Sequence, residues 1–185
     1  MRKGQDLSPT ARLGMRLFLL SLSVLFAASL VGILVVRMRA PVWPPEGSPP
    51  LPGGLWFSTL LILASSATMG LAQKRFREGR VGDVVRFLLV TDFLALLFLV
   101  NQTLNWAKIL AVPLATKAGL FVFSFLLLTG LHALHVLGGL GALGLATTRG
   151  AKGSLSSARL AGTASYWHFL TVVWLVLFAV LKLLL

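Results

Sequence analysis

Ala118-Gly-Leu-Phe-Val-Phe-Ser-Phe-Leu-Leu-Leu-Thr-Gly-Leu-His-Ala-Leu-His-Val-Leu-Gly-Gly-Leu-Gly-Ala-Leu-Gly-Leu-Ala-Thr-Thr148 runs for 31 residues without a charge. About 20 apolar residues suffice for a helix to cross the hydrocarbon core of a bilayer. The strands of a membrane barrel would instead alternate in short segments, and this run does not. Working outward, four further blocks repeat the pattern: Leu17–Val36, Gly47–Gln73 with an apolar core at Leu55–Ala72, Phe87–Ala107, and Leu160–Leu181. The third holds a single charge, Asp92, and the others hold none. The chain therefore reads as all-α, an integral membrane bundle of five transmembrane helices in one membrane domain spanning 1–185. The helices are expected at about 13–37, 54–73, 84–107, 117–147 and 160–184, with a Pro-rich outer loop at 40–54.

Composition agrees. Only 12% of the 185 residues are charged, 17 basic and 5 acidic, and 57% are hydrophobic. A soluble domain runs nearer a quarter charged. A disordered chain and a nucleic-acid-binding protein are both excluded, despite a net charge of +12. Cysteine is absent, which removes disulfides, thiolate metal ligands, iron–sulfur clusters and nucleophilic thiols. The first block is too long for the core of a cleavable signal, roughly 7–15 residues, and no small-residue cleavage site follows it.

The basic charge sets an orientation. With alternating spans, one side receives Arg2, Lys3, Arg12, Arg16, Lys74, Arg75, Arg77, Arg80, Arg86, Arg149, Lys152 and Arg159. The other receives Arg37, Arg39, Lys108, Lys117 and Lys182. Positive-inside bias places the N-terminus inside and the C-terminus outside. The outer loop from Ala40 to Gly54 is rich in proline, which fixes φ and donates no hydrogen bond, so it reads as a turn-rich tether. Trp43 and Trp56 suit the interfacial belt.

Inside the bilayer, small residues offer close-packing ridges: Gly138, Ala142 and Ala146 on the fourth helix, Ala64, Thr68 and Ala72 on the second, Ala28 and Gly32 on the first. His132 and His135 are spaced i, i+3 and share a helix face near mid-membrane, with His168 near the inner start of the fifth helix. Three histidines without cysteine or a neighbouring glutamate do not make a metal site. One cross-helix pair at best does not hold a haem. Their default role is hydrogen bonding within the bundle. Asp92, the one intramembrane acid, lies in the inner third, five residues or roughly 7–8 Å past Phe87. Arg16 enters the first helix at a comparable depth, and an Asp92–Arg16 pair or an Asp92–lipid-headgroup network is expected. Gln102 and Asn105, i and i+3 at the outer end of the third helix, are expected to hydrogen-bond between helices. No catalytic, metal-binding or cofactor-binding set can be assembled from the residues.

Two segments carry a resemblance. Thr129-Gly-Leu-His-Ala-Leu-His-Val-Leu-Gly-Gly139 and Tyr166-Trp-His-Phe-Leu-Thr-Val-Val-Trp-Leu-Val-Leu-Phe178 are similar, in order and spacing, to the two signatures of subunit III of the haem–copper oxidases. Leu63-Ala-Ser-Ser-Ala-Thr68 resembles a third segment of that family. The resemblance extends over the whole chain, in the short five-helix bacterial form. It implies a bacterial inner-membrane subunit of a cytochrome c or quinol oxidase, a complex that reduces O2 to water and pumps protons. In that family subunit III carries no haem or copper, which sit in partner subunits. It packs on subunit I, associates with subunit II, binds phospholipid and supports the durability of the complex. His132, His135, Gly138, Tyr166, Trp167, His168 and Trp174 are the motif positions so identified. Positions usually acidic in the family are here Leu22, Gln102, Asn105 and Thr171. Two other readings stay open: an accessory protein of nitric oxide reduction related to subunit III, and a stand-alone membrane transporter or lipid-binding protein.

Overall fold

The computed structural model describes residues 9–111 and 119–184. Arg2, Lys3, Asp6 and Lys117, which enter the charge count, and the start expected at 117 for the fourth helix lie outside these residues. Five helices make up the described chain: α1 (Pro9–Arg39), α2 (Gly54–Arg77), α3 (Val81–Leu110), α4 (Gly119–Ala151) and α5 (Ser157–Leu184). Four of them, α1, α2, α4 and α5, are long and apolar enough to cross a membrane. The 30-residue α3 carries Asp83, Arg86, Asp92 and Lys108. The helices begin and end outside the apolar cores, because flanking basic residues stay helical: Lys74, Arg75 and Arg77 form the last turn of α2. Cations there complement the negative end of the helix dipole.

Two tight turns are built alike. After α2, Gly79 takes φ 74°, and Arg80 N–H reaches back to Arg75 C=O at 3.0 Å. After α4, Gly153 takes φ 66°, and Ser154 N–H reaches Arg149 C=O at 2.8 Å. Both are left-handed glycine caps that satisfy a terminal carbonyl and reverse the chain. The first is fastened by the Arg75–Glu78 ion pair (2.8 Å) and by Arg80–Asp83 (2.6 Å). The Arg75 guanidinium bonded to Glu78 holds its carboxyl below the usual range.

α2, α3, α4 and α5 close a ring in which each packs on two neighbours, and α1 leans on α4 and α5 from outside. The interior of the ring holds Phe98, Phe125, Leu128, Trp167 and Trp174, all fully buried. At the end that carries the Pro-rich loop, Trp43 packs on Phe121 (6.0 Å). Trp56 meets Phe178 edge-on (4.8 Å) beneath the Lys182 ammonium.

The small-residue ridges are contact surfaces only in part: Ala72 and Ala146 are fully buried, and Thr68 Oγ1 lies 2.8 Å from Thr91 Oγ1 of α3. Gly138, Ala142, Ala64, Ala28 and Gly32 are exposed in the chain. The close approach is made one residue along, at Gly139, where an added Cβ would stand 3.0 Å from the Trp167 ring and 3.1 Å from Tyr166.

Candidate functional site

Trp167 and Trp174 are seven residues apart on α5, two turns, and so lie on one face. Each crosses to α2: the Trp167 indole N–H donates to Ser65 Oγ at 3.2 Å, and the Trp174 N–H to Thr59 Oγ1 at 3.0 Å. His168, between them, pairs its Nδ1 with Ser66 Oγ at 2.7 Å. Indoles bury large apolar area but need an acceptor for the N–H. The serines and threonine of α2 supply it.

The same residues bind α5 to α4. Tyr166 O–H donates to the His135 main-chain carbonyl at 3.0 Å. His132 is wholly buried, its ring 5.2 Å from Trp174, 5.7 Å from Phe98 in an edge-on contact, and 6.3 Å from Phe26 of α1. His135 packs on Phe26 at 5.2 Å and pairs its Nδ1 with Leu131 C=O of its own helix at 2.7 Å. The two signature segments thus interlock at the bundle centre. Of the motif positions, Gly138 alone stands outside the contact: a Cβ there would only touch the Tyr166 hydroxyl, at 4.0 Å. Thr171 bonds the Trp167 carbonyl at 3.2 Å, and Leu22 is buried.

A second polar cluster joins the start of α2 to the last turns of α3. Asn101 Nδ2 donates to Gly54 C=O (2.8 Å) and to Ser58 Oγ (2.7 Å). Ser58 in turn donates to Gln102 Oε1 (3.2 Å). Gly54 is required here, because any Cβ would collide with the Asn105 side chain. The expected interhelical bond is made by Gln102.

The Asp92–Arg16 pair does not form. Asp92 Oδ2 accepts a hydrogen bond from Thr147 of α4 at 2.8 Å. Arg16 is exposed on α1, a helix that has no contact with α3. Depth along two helices gave the two residues similar heights, but their directions around the bundle differ. Among the described residues no group of three His, Asp or Glu is placed to hold a metal ion.

Two hollows lie along α5, the first between it, α2 and Arg12 of α1, the second between it and α1. One, of about 450 Å³ at the end that carries the glycine-capped turns, is lined by Arg12, Gln73, Phe76, Arg77 and Ser157. The other, of about 220 Å³, lies deeper and is apolar, between Phe26, Ala27 and Leu30 on α1 and Phe169, Val172 and Val176 on α5.

Residues 5–183 match the family model described as cytochrome c oxidase subunit III. The chain is 30% identical over 179 residues to cytochrome c oxidase subunit 3 of Synechocystis, covering 92% of this chain and 74% of that protein. With cytochrome c oxidase subunit 3 of Thermostichus vulcanus it shares 28% identity, over 93% of this chain and 86% of that one. With cytochrome bo(3) ubiquinol oxidase subunit 3 of Pseudomonas aeruginosa it shares 30% over 129 residues, 68% of this chain and 61% of that one. The chain spans only about half, 52%, of the matched subunit from Marchantia polymorpha.

Proposed function

The chain belongs to the cytochrome c oxidase subunit III family, and from that premise we propose that it is the non-redox third subunit of a bacterial respiratory terminal oxidase. In this reading it is a multi-pass protein of the cytoplasmic membrane, α3 included as a span, with the N-terminus inside and 1–185 acting as one membrane domain. The complex reduces O2 to water and pumps protons. Haem and copper reside in partner subunits, and this chain supplies no catalytic group. It packs directly on subunit I, associates with subunit II, and keeps the assembly working through many turnovers.

The observation that carries the reading is an interlock of three helices: Trp167, His168 and Trp174 of α5 meet Ser65, Ser66 and Thr59 of α2, Tyr166 bonds the His135 carbonyl of α4, and His132 of α4 packs on Trp174. In this reading the matched signatures serve to hold these helices together. A phospholipid is proposed along α5, its headgroup in the hollow shared with α2 and Arg12 and its chain in the hollow shared with α1. Arg12 and Arg77 suit a phosphate headgroup, and the apolar hollow between Phe26 and Val176 suits an acyl chain.

Deleting the chain from an otherwise assembled oxidase tests the supporting role. The initial rate of O2 consumption is expected to stay largely intact while the working life in turnover shortens. Immediate loss of chemistry in a correctly assembled complex would contradict it.

A further inference from the structure

Three hydroxyls that tie the helices together share one arrangement. Thr129 Oγ1 lies 2.7 Å from the Phe125 carbonyl of its own helix and takes the Trp106 N–H on its other side, at 2.9 Å. Ser65 bonds the Ile62 carbonyl at 2.8 Å and takes the Trp167 N–H. Thr59 bonds the Leu55 carbonyl at 2.9 Å and takes the Trp174 N–H. A hydroxyl has one hydrogen to give and lone pairs to receive with. In all three the hydrogen goes to the hydroxyl's own helix, and a donor from a neighbouring helix meets the lone pair.

Thr147 is built the same way. Its Oγ1 lies 3.0 Å from the Leu143 carbonyl of α4 and 2.8 Å from Asp92 Oδ2 of α3. Both are lengths of complete O–H···O bonds, about 2.5–3.0 Å. An ionised Asp92 has no hydrogen to give, so the single Thr147 hydrogen would have to serve two acceptors. A neutral carboxylic acid satisfies both contacts. Its O–H donates to Thr147, and Thr147 donates to Leu143. Asp92 then stands where an indole N–H stands in the other three.

The charges of the neighbouring elements do not meet Asp92. α3 packs on α2 and α4. Their cations stand at the helix ends: Lys74, Arg75 and Arg77 close α2, and Arg149 lies in the last turn of α4. On α3 itself Arg86 is turned to Asp83 at 3.9 Å, and Lys108 lies in the last turn. The ion pairs of Arg75, Arg80 and Arg86 go to Glu78 and Asp83, and among the described residues none reaches Asp92. His135 and His132 of α4 are three or more turns from Thr147, roughly 18 Å or more along the helix. Asp92 is half-buried. A charge drawn out of water and left unpaired is costly, and such a group neutralises instead.

We propose that Asp92 is a proton-binding site, a neutral carboxylic acid whose O–H is given to Thr147, so that a chain of hydrogen bonds runs from α3 through Thr147 to the Leu143 carbonyl of α4. Its ligand is one exchangeable proton. Loss of that proton reverses the Asp92–Thr147 bond and draws the Thr147 hydrogen away from Leu143.

The chain contains three aspartates, Asp6, Asp83 and Asp92. Carbon-13 in their side-chain carboxyls gives three NMR signals from the full chain purified in detergent, and the chemical shift separates acid from carboxylate. Asp83, bonded to Arg80 at 2.6 Å, supplies the ionised reference. At neutral pH one signal is expected at the acid position. It is expected to vanish in Asp92→Asn, and to be displaced in Thr147→Val, where the O–H loses its acceptor. Where Asp92→Asn does not fold, Asp6→Asn and Asp83→Asn assign the signals by elimination. Three ionised signals in the native chain would overturn the proposal. So would an acid signal that belongs to Asp6 or Asp83, or one that Thr147→Val leaves unmoved.

Discussion

The indole N–H of Trp174 on α5 donates to Thr59 Oγ1 on α2 at 3.0 Å, while its ring lies 5.2 Å from His132 on α4. One side chain therefore fixes the spacing of three helices. Replacing Trp174 or Trp167 with phenylalanine keeps most of the ring and removes the N–H. The expected cost is about 0.5–1.5 kcal/mol each, the net worth of one hydrogen bond. Trp174→Ala also opens a cavity and is expected to cost about 3–5 kcal/mol. Thermal unfolding of the purified chain or complex in detergent measures the order: phenylalanine mild, alanine severe.

Gly139 and Gly138 provide a contrast between neighbours. Gly139→Ala pushes a methyl against Trp167 and Tyr166 and is expected to destabilise by about 1–3 kcal/mol, as overpacking does. Gly138→Ala meets only the Tyr166 hydroxyl, at 4.0 Å, and is expected to be neutral or mildly stabilising. The melting temperatures of the two variants should separate clearly.

Asp92 and Thr147 form a polar pair between α3 and α4. Thr147→Val deprives Asp92 Oδ2 of its partner, while Oδ1 already lacks one, and the expected loss is about 1–3 kcal/mol. Arg16→Gln is expected to change stability by less than about 0.5 kcal/mol, as for an exposed site without special contacts. A double-mutant cycle should give a coupling energy for Asp92 with Thr147 and none for Asp92 with Arg16.

Orientation can be read cleanly because the chain has no cysteine. Lys152→Cys, in the turn after α4, is expected to react with a membrane-impermeant maleimide only from the cytoplasmic side. Ser48→Cys, in the Pro-rich loop, is expected to react only from outside. The reverse pattern would invert the topology.

The number of helices was legible in the sequence because it follows from the length of the runs with little or no charge. Which face of each helix packs was not. α4 is apolar nearly all the way round, so its pattern carries little amphipathic direction to say which stripe is buried. The Gly138–Ala142–Ala146 ridge therefore met the buried stripe only at Ala146, while the close glycine contact falls at Gly139. Asp92 shows the same limit: height along a helix is countable from a sequence, azimuth is not, and Thr147 rather than Arg16 faces the carboxylate. Trp167 and Trp174 need acceptors wherever they are buried, and Thr59 and Ser65 of α2 supply them. That pairing was not legible, because nothing in the sequence sets which face of α2 meets α5.

The most direct test of the account is isolation of the tagged chain in mild detergent, with an optical spectrum of what accompanies it. Membership in a terminal oxidase requires larger partner subunits in fixed ratio and a reduced-minus-oxidised haem spectrum that co-elutes with the chain. A folded, haem-free preparation with no partner would contradict it.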